Sequence, residues 1–108
     1  MSESVLVRRI IGAVNKMPGC RAKKIHGSVF GSGWPDVLAV AKGLAVFLEV
    51  KRPGKSMTRL QKLEMEKWRK AGAIVGVVYG VEEAEGMVRD AVMLAVEAAM
   101  RVAKGMGT

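Results

Sequence analysis

The sequence predicts an α/β domain with a mixed β-sheet flanked by helices, in the order α-β-β-β-α-β-α. Three observations predict it. Two runs rich in Val, Leu and Ala meet at a Lys42-Gly43 turn. A third apolar run, at residues 73–79, follows a segment with helix boundary signals at both ends. Helical periodicity marks both ends of the chain. A length of 108 residues suits a single domain, with a core over about 3–81 and a helical C-terminal region over about 82–104.

Residues 3–17 read as the first helix, with Ser2 as N-cap and Pro18-Gly19 as the stop. Val7, Ile10, Val14 and Met17 recur at helical spacing and mark its apolar face. Cys20 to His26 is a short strand, and Gly27 to Gly33 is a glycine-rich loop. Trp34-Pro35 leads into the strands Asp36–Ala41 and Leu44–Lys51. Gly43 supplies the positive φ that a tight hairpin needs. Thr58 to Ala71 is the next helix, with Thr58 and Gln61 as a capping box and Gly72 as the stop. With Leu60 at zero on a helical wheel of 100° per residue, Leu63, Trp68 and Ala71 share its apolar face, and Gln61 falls inside that face. Ala73 to Tyr79 is a buried strand. Glu82 to about Lys104 is helical, in one piece or in two, because Gly86 interrupts it.

Composition narrows the class. Half of the residues are apolar and 26% are charged, a mix that supports a packed core. The longest apolar run, Ala71 to Val81, is shorter than the roughly 18 residues a membrane span needs. No basic segment followed by an apolar stretch opens the sequence, so no secretory signal is expected and a cytoplasmic, intracellular location is. Cys20 and His26 each stand alone, which excludes an intrachain disulfide, a cysteine zinc cluster and a histidine pair. The formal net charge is +8, and the whole excess lies in residues 1–60. A concentrated positive field suits a polyanion such as nucleic acid. A basic protein without such a partner is the plainer alternative.

The hairpin carries the chemistry. A turn centred on Lys42-Gly43 sets Asp36 directly opposite Glu49 on one face of the strand pair. Opposed Cβ atoms in such a pair are about 4.5–5.5 Å apart, where like charges repel. A divalent cation bridging the two carboxylates relieves that repulsion, and hard oxygen ligands favour magnesium, manganese or calcium over zinc. Lys51 lies two residues beyond Glu49 and points the same way, whereas Val46, Leu48 and Val50 point to the other face. The polar face is therefore expected to form a site. There a cation polarises a phosphoryl oxygen and acidifies a bound water. Lys51 is placed to orient that water or to stabilise transition-state charge. A solvated hairpin face with an ordinary Glu-Lys pair is the bland alternative. Gln61, facing inward, needs hydrogen-bond partners, and completing the capping box is its plainer use.

Gly-Ser-Gly-Trp-Pro35-Asp36, then Phe-Leu-Glu49-Val-Lys51-Arg-Pro-Gly-Lys, then Thr58-Arg-Leu-Gln61 together resemble the PD-(D/E)xK nuclease superfamily. More narrowly they resemble its VRR-NUC family and the small stand-alone, phage-type members. The resemblance runs from about Glu3 to Val81. It implies a restriction-endonuclease-like core and metal-dependent phosphodiester hydrolysis, with Mg2+ as cofactor and Mn2+ able to substitute. It implies Asp36 and Glu49 as metal-binding acids and the Val50 carbonyl as a further ligand. It implies Lys51 as the catalytic lysine, Gln61 as the glutamine of the following helix, and Glu3 as an acid that completes the metal site. An acid in the first turn also simply favours the helix dipole. Small members are similar to Holliday junction resolvases, which act as dimers.

Lys23, Lys24, Arg52 and Lys55 flank the acids and are the best candidates for DNA phosphate contacts, which position a substrate without reading bases. Gly31-Ser-Gly33 lacks a full phosphate-binding fingerprint, so no nucleotide cofactor is expected. His26 reads as structural or phosphate-adjacent, Trp34 and Trp68 as core, and the eight methionines as core filler. Apolar residues from Val88 to Val102 either cover the sheet or form a homodimer interface. The expected function is a metal-dependent endonuclease cutting branched DNA such as Holliday junctions, with no membrane association. The alternatives are a non-catalytic nucleic-acid-binding module and a less selective nicking or flap nuclease.

Overall fold

Ser2 starts the first helix. In the computed structural model, which describes residues 1–25 and 33–106, the Ser2 hydroxyl accepts from the Val5 N–H at 3.3 Å. Helix α1 spans Glu3–Asn15, two residues shorter than the periodicity suggests, and buries Leu6, Val7, Ile10 and Val14. Strand β1 spans Cys20–Lys24. Its expected end at His26 and most of the glycine-rich loop lie outside the described residues.

Strands β2 (Val37–Ala41) and β3 (Leu44–Val50) form the expected hairpin. Lys42 and Gly43 both take positive φ, 51° and 89°, the backbone of a tight two-residue turn. The register is the expected one: Val37 faces Leu48 and Ala39 faces Val46. Helix α2 (Arg59–Lys70) then crosses over to β4 (Ile74–Val78). The sheet order is β1-β2-β3-β4, antiparallel except for the parallel β3–β4 pair. The last helix, α3, spans Val81–Met106.

The two faces of the sheet differ. Side chains of Val37, Ala39, Val46, Leu48, Val50 and Val78 meet Val7, Ile10 and Val14 of α1 and Ala84, Val88 and Ala91 of α3 in one core. Among the described residues α2 is the helix on the opposite face, where Trp68 packs on Phe47 (ring centroids 4.7 Å) and on Trp34 (5.6 Å). The domain measures 51 × 28 × 25 Å.

Two expectations need correction, and one alternative is settled. The inward stripe of α2 is Gln61, Met65 and Trp68, at spacings of four and three, whereas Leu60 (59% exposed), Leu63 and Ala71 face solvent. The two leucines lie about one turn-third around the helix from the stripe that meets the sheet. Gly86 does not divide the last helix: a glycine inside a long helix costs about 1 kcal/mol, which packing of the flanking Ala84 and Val88 offsets. Methionines are not uniformly core filler. Met65 is buried, but Met93 and Met100 are exposed on the distal half of α3.

Candidate active site

Asp36 sits at the mouth of the hairpin, one residue before β2. The ladder continues past Lys24, because the Ile25 N–H donates to the Asp36 carbonyl at 2.8 Å. The Asp36 Oδ2 accepts from the Val50 N–H at 2.8 Å. This bond pins the carboxyl across the end of β3, beside the residue that precedes Val50. That residue is Glu49. Extension of the β2–β3 register by one step puts Asp36 opposite it, as expected.

Glu49 does not lie on a solvated hairpin face, the bland alternative. It is 1% exposed and shares its side of the sheet with Phe47. Burial, followed by the hydrogen bond and negative charge of Asp36, pushes its carboxyl up to about 9. The Lys51 cation pulls it down, and the charge of Glu3 adds a final upward contribution. Among the described residues the Glu49 Oε2 is buried without a hydrogen-bond partner. Such an atom carries the full desolvation penalty.

This donor set fits a divalent cation. Two carboxyls lie together at a strand end, one of them with an unpartnered buried oxygen, and hard oxygen donors suit magnesium or manganese. Glu3 acts on Glu49 through its charge, but no group of three acidic, His or Cys side chains able to hold a metal occurs among the described residues.

Lys51 extends β3, its N–H donating to the Val78 carbonyl at 3.0 Å. Strand alternation turns its half-buried side chain toward the side of Glu49. It makes no ion pair among the described residues. Gln61 lies on the first turn of α2. Its Oε1 accepts from the Thr58 N–H at 2.9 Å, and Thr58 Oγ1 accepts from the Gln61 N–H at 3.2 Å. The capping box is thus formed, and the side-chain amide nitrogen is the part of Gln61 left for other work.

Gly33 explains how the helix and the acid come together. Its φ is 85°, and a Cβ there would lie 2.9 Å from the Leu60 carbonyl oxygen. The segment leading into Asp36 is therefore pressed against the first turn of α2, next to Gln61, with Trp34 locked on Trp68.

The candidate phosphate contacts are spread around this centre. Lys23, Lys24, Arg52 and Lys55 are all exposed. Lys23 pairs with Leu38 and rises on the carboxyl side of the sheet, while Lys24 pairs with the core residue Val37 and leaves from the opposite side. Arg52 and Lys55 bracket a turn closed by the Lys55 N–H donating to the Arg52 carbonyl at 3.1 Å.

Two residues escaped the sequence reading. Asn15 uses its side-chain amide as a strand would, donating to the Ala22 carbonyl (3.2 Å) and accepting from its N–H (2.7 Å). Nothing local announces this bond, which joins the end of α1 to β1. Tyr79, at the end of β4, donates from its hydroxyl to the Lys55 carbonyl at 3.2 Å. The parallel pairing of β3 and β4 was the available signal, since it brings the ends of both strands together.

No protein-family model matches the sequence, and no curated protein matches it. Solved structures do match, among them two with VRR_NUC domains in their titles. One, titled "VRR_NUC domain", superposes with a TM-score of 0.67 at 26% identity, covering 81% of this chain and 94% of the other. The second, a "VRR_NUC domain protein", superposes at 0.66 with 20% identity, covering 82% of this chain and 86% of the other, and shares the fold. Among the described residues no helix is long and apolar enough to cross a membrane. The α-β-β-β-α-β-α order and these superpositions give the chain the fold of VRR_NUC domain structures and support membership of the VRR-NUC family.

Proposed function

We propose that the chain is a divalent-metal-dependent DNA endonuclease that hydrolyses phosphodiester bonds in branched DNA, Holliday junctions foremost. The observation that carries this reading is the pairing of Asp36, fixed on the Val50 N–H, with a buried Glu49 whose Oε2 has no partner. A structural core carboxyl would have its oxygens satisfied. A pure DNA-binding surface would not set two acids together amid cations, because acids repel phosphates.

Asp36 and Glu49 are the residues that would hold Mg2+ or Mn2+, with the Val50 carbonyl as a further donor. Such a cation supplies Lewis acidity at a phosphoryl oxygen and a more acidic water. Lys51 orients the attacking water and offsets negative charge that grows at phosphorus. Gln61 offers its amide nitrogen as a donor to water or phosphate. Lys23, Lys24, Arg52 and Lys55 attract and position the phosphate backbone. The reaction joins water to phosphorus and breaks one P–O bond to a sugar, with no covalent enzyme intermediate. Symmetric cutting of a four-way junction needs two such centres related by a two-fold axis, which makes a homodimer the working unit.

The test is cleavage of labelled four-way junction, flap, nicked and linear duplex DNA with Mg2+, Mn2+ or EDTA. Metal-dependent cutting is expected, strongest on the junction and lost by a factor of about 100 or more in Asp36→Ala and Glu49→Ala. Tight binding with no cutting under either metal would sink the enzyme and favour a recruiting module of the same fold. Equal cutting of every branched form would favour a general flap or nicking nuclease.

A further inference from the structure

The parallel β3–β4 pair sends two chain segments out of the same edge of the sheet. One is the Arg52–Lys55 loop, the other the Tyr79–Val81 link into α3. Between them and α1 lies a pocket of about 690 Å³ lined by Leu6, Arg52, Pro53, Lys55, Tyr79 and Val81. The Tyr79 hydroxyl bond to the Lys55 carbonyl fastens the aromatic wall to the cationic loop. Tyr79 remains 38% exposed, so its ring is free to meet a ligand.

We propose that this pocket binds one unstacked nucleotide of the substrate strand, beside the bond to be cut. The proposal rests on the nuclease reading and adds how the site selects its DNA. A nucleotide presents a flat, largely apolar base and an anionic phosphate. The pocket answers both, with Tyr79, Pro53, Leu6 and Val81 for the base, Arg52 and Lys55 for the phosphate, and no acid in its wall. Arg52 is three residues from Glu49, so chain connectivity keeps their Cα atoms within roughly 11 Å of each other. A base inside a continuous duplex stays stacked and paired, and taking it out costs free energy. At a branch point, flap or nick that cost is already partly met. The pocket therefore favours DNA with an unpaired nucleotide near the cut, without reading its identity.

The test measures binding in EDTA, so that cutting plays no part. Labelled flap DNA, the same flap with an abasic site at its first unpaired nucleotide, and continuous duplex are titrated with wild type, Tyr79→Leu and Tyr79→Phe. The expected result is a loss of roughly 5- to 100-fold for Tyr79→Leu on flap DNA, with duplex binding nearly unchanged. The abasic flap should cost wild type a similar factor and cost Tyr79→Leu little more. Tyr79→Phe keeps the ring and should keep the preference. Arg52→Gln and Lys55→Gln should weaken all three DNAs alike and lower the salt slope by about one each. Equal losses on flap and duplex, or a wild type indifferent to the abasic site, would overturn the pocket. The abasic comparison uses wild type alone and decides the matter if a variant does not fold. A chain that cuts branched DNA yet ignores the abasic site keeps the nuclease and loses the pocket. A chain that discriminates by the base yet never cuts keeps the pocket and loses the nuclease.

Discussion

A carboxyl group buried beside another carboxyl is hard to ionise, and Glu49 is in that position. Its pKa is about 9 in the fold against an ordinary 4.5. Between those values the unfolded chain has released the proton and the folded chain still holds it. The folded state binds more protons, so stability is fully present below pH 4.5 and falls as pH rises toward 9. In EDTA, the urea midpoint of wild type should decline from pH 5 to pH 8 relative to Glu49→Gln, which lacks the titrating group. Added Mg2+ should raise the wild-type Tm more at pH 8 than at pH 6, because cation and proton compete for the same oxygens. Parallel pH profiles for the two proteins would show that Glu49 ionises freely. Gln61 separates differently. Gln61→Glu keeps an oxygen for the Thr58 N–H and should melt within about 0.5 kcal/mol of wild type, yet lose most activity with the amide donor. Gln61→Ala should lose activity and about 1 kcal/mol of stability together. Full activity in Gln61→Glu would reduce Gln61 to its cap.

At the scale of elements, the hairpin was the most legible part of the chain. Its turn chemistry fixes its register, and register fixes which side chains are opposed. Asp36, Glu49 and Lys51 could thus be brought to one strand end from the Lys42-Gly43 turn alone. The burial of Glu49 could not, because it depends on α2 and on the Trp34–Trp68–Phe47 packing, which no local pattern encodes. The face of α2 was misread for the same reason. Its leucines are apolar but point to solvent, and its buried stripe includes a glutamine. The amide pair between Asn15 and Ala22 is another non-local device. It satisfies backbone groups of the edge strand β1 and blunts that edge against pairing with other chains. Asn15→Ala should cost about 1–2 kcal/mol, seen as a lower urea midpoint with unchanged slope. Hydrogen exchange should quicken first at Ala22, and an unchanged midpoint would mean that water replaces both bonds.

The whole molecule is asymmetric in shape as well as in charge. Helix α3 has 26 residues, about 39 Å by helical rise, and only its first half is held on the sheet. Ala84, Val88 and Ala91 are buried, but Met93, Val96 and Met100 form an exposed stripe at spacings of three and four, and Met100 is 66% exposed. That spacing is the seam of a helix pair. The flanking Glu97–Arg101 ion pair, at 3.9 Å, lies on the exposed surface beside the stripe. A two-fold axis near Val96 would lay this stripe against its own copy, antiparallel, so that each methionine meets apolar surface from the partner. The same axis would supply the second active centre that a symmetric junction cut requires. Sedimentation at micromolar concentration should therefore give a dimer for wild type and a monomer for the double variant Met93→Glu/Met100→Glu, which places like charges along the seam. The monomer should retain its fold by circular dichroism, since neither methionine belongs to the core. It should still nick one strand of a junction while losing the paired cuts. A variant that remains dimeric would move the interface off α3, and a monomeric wild type that resolves junctions symmetrically would remove the need for one.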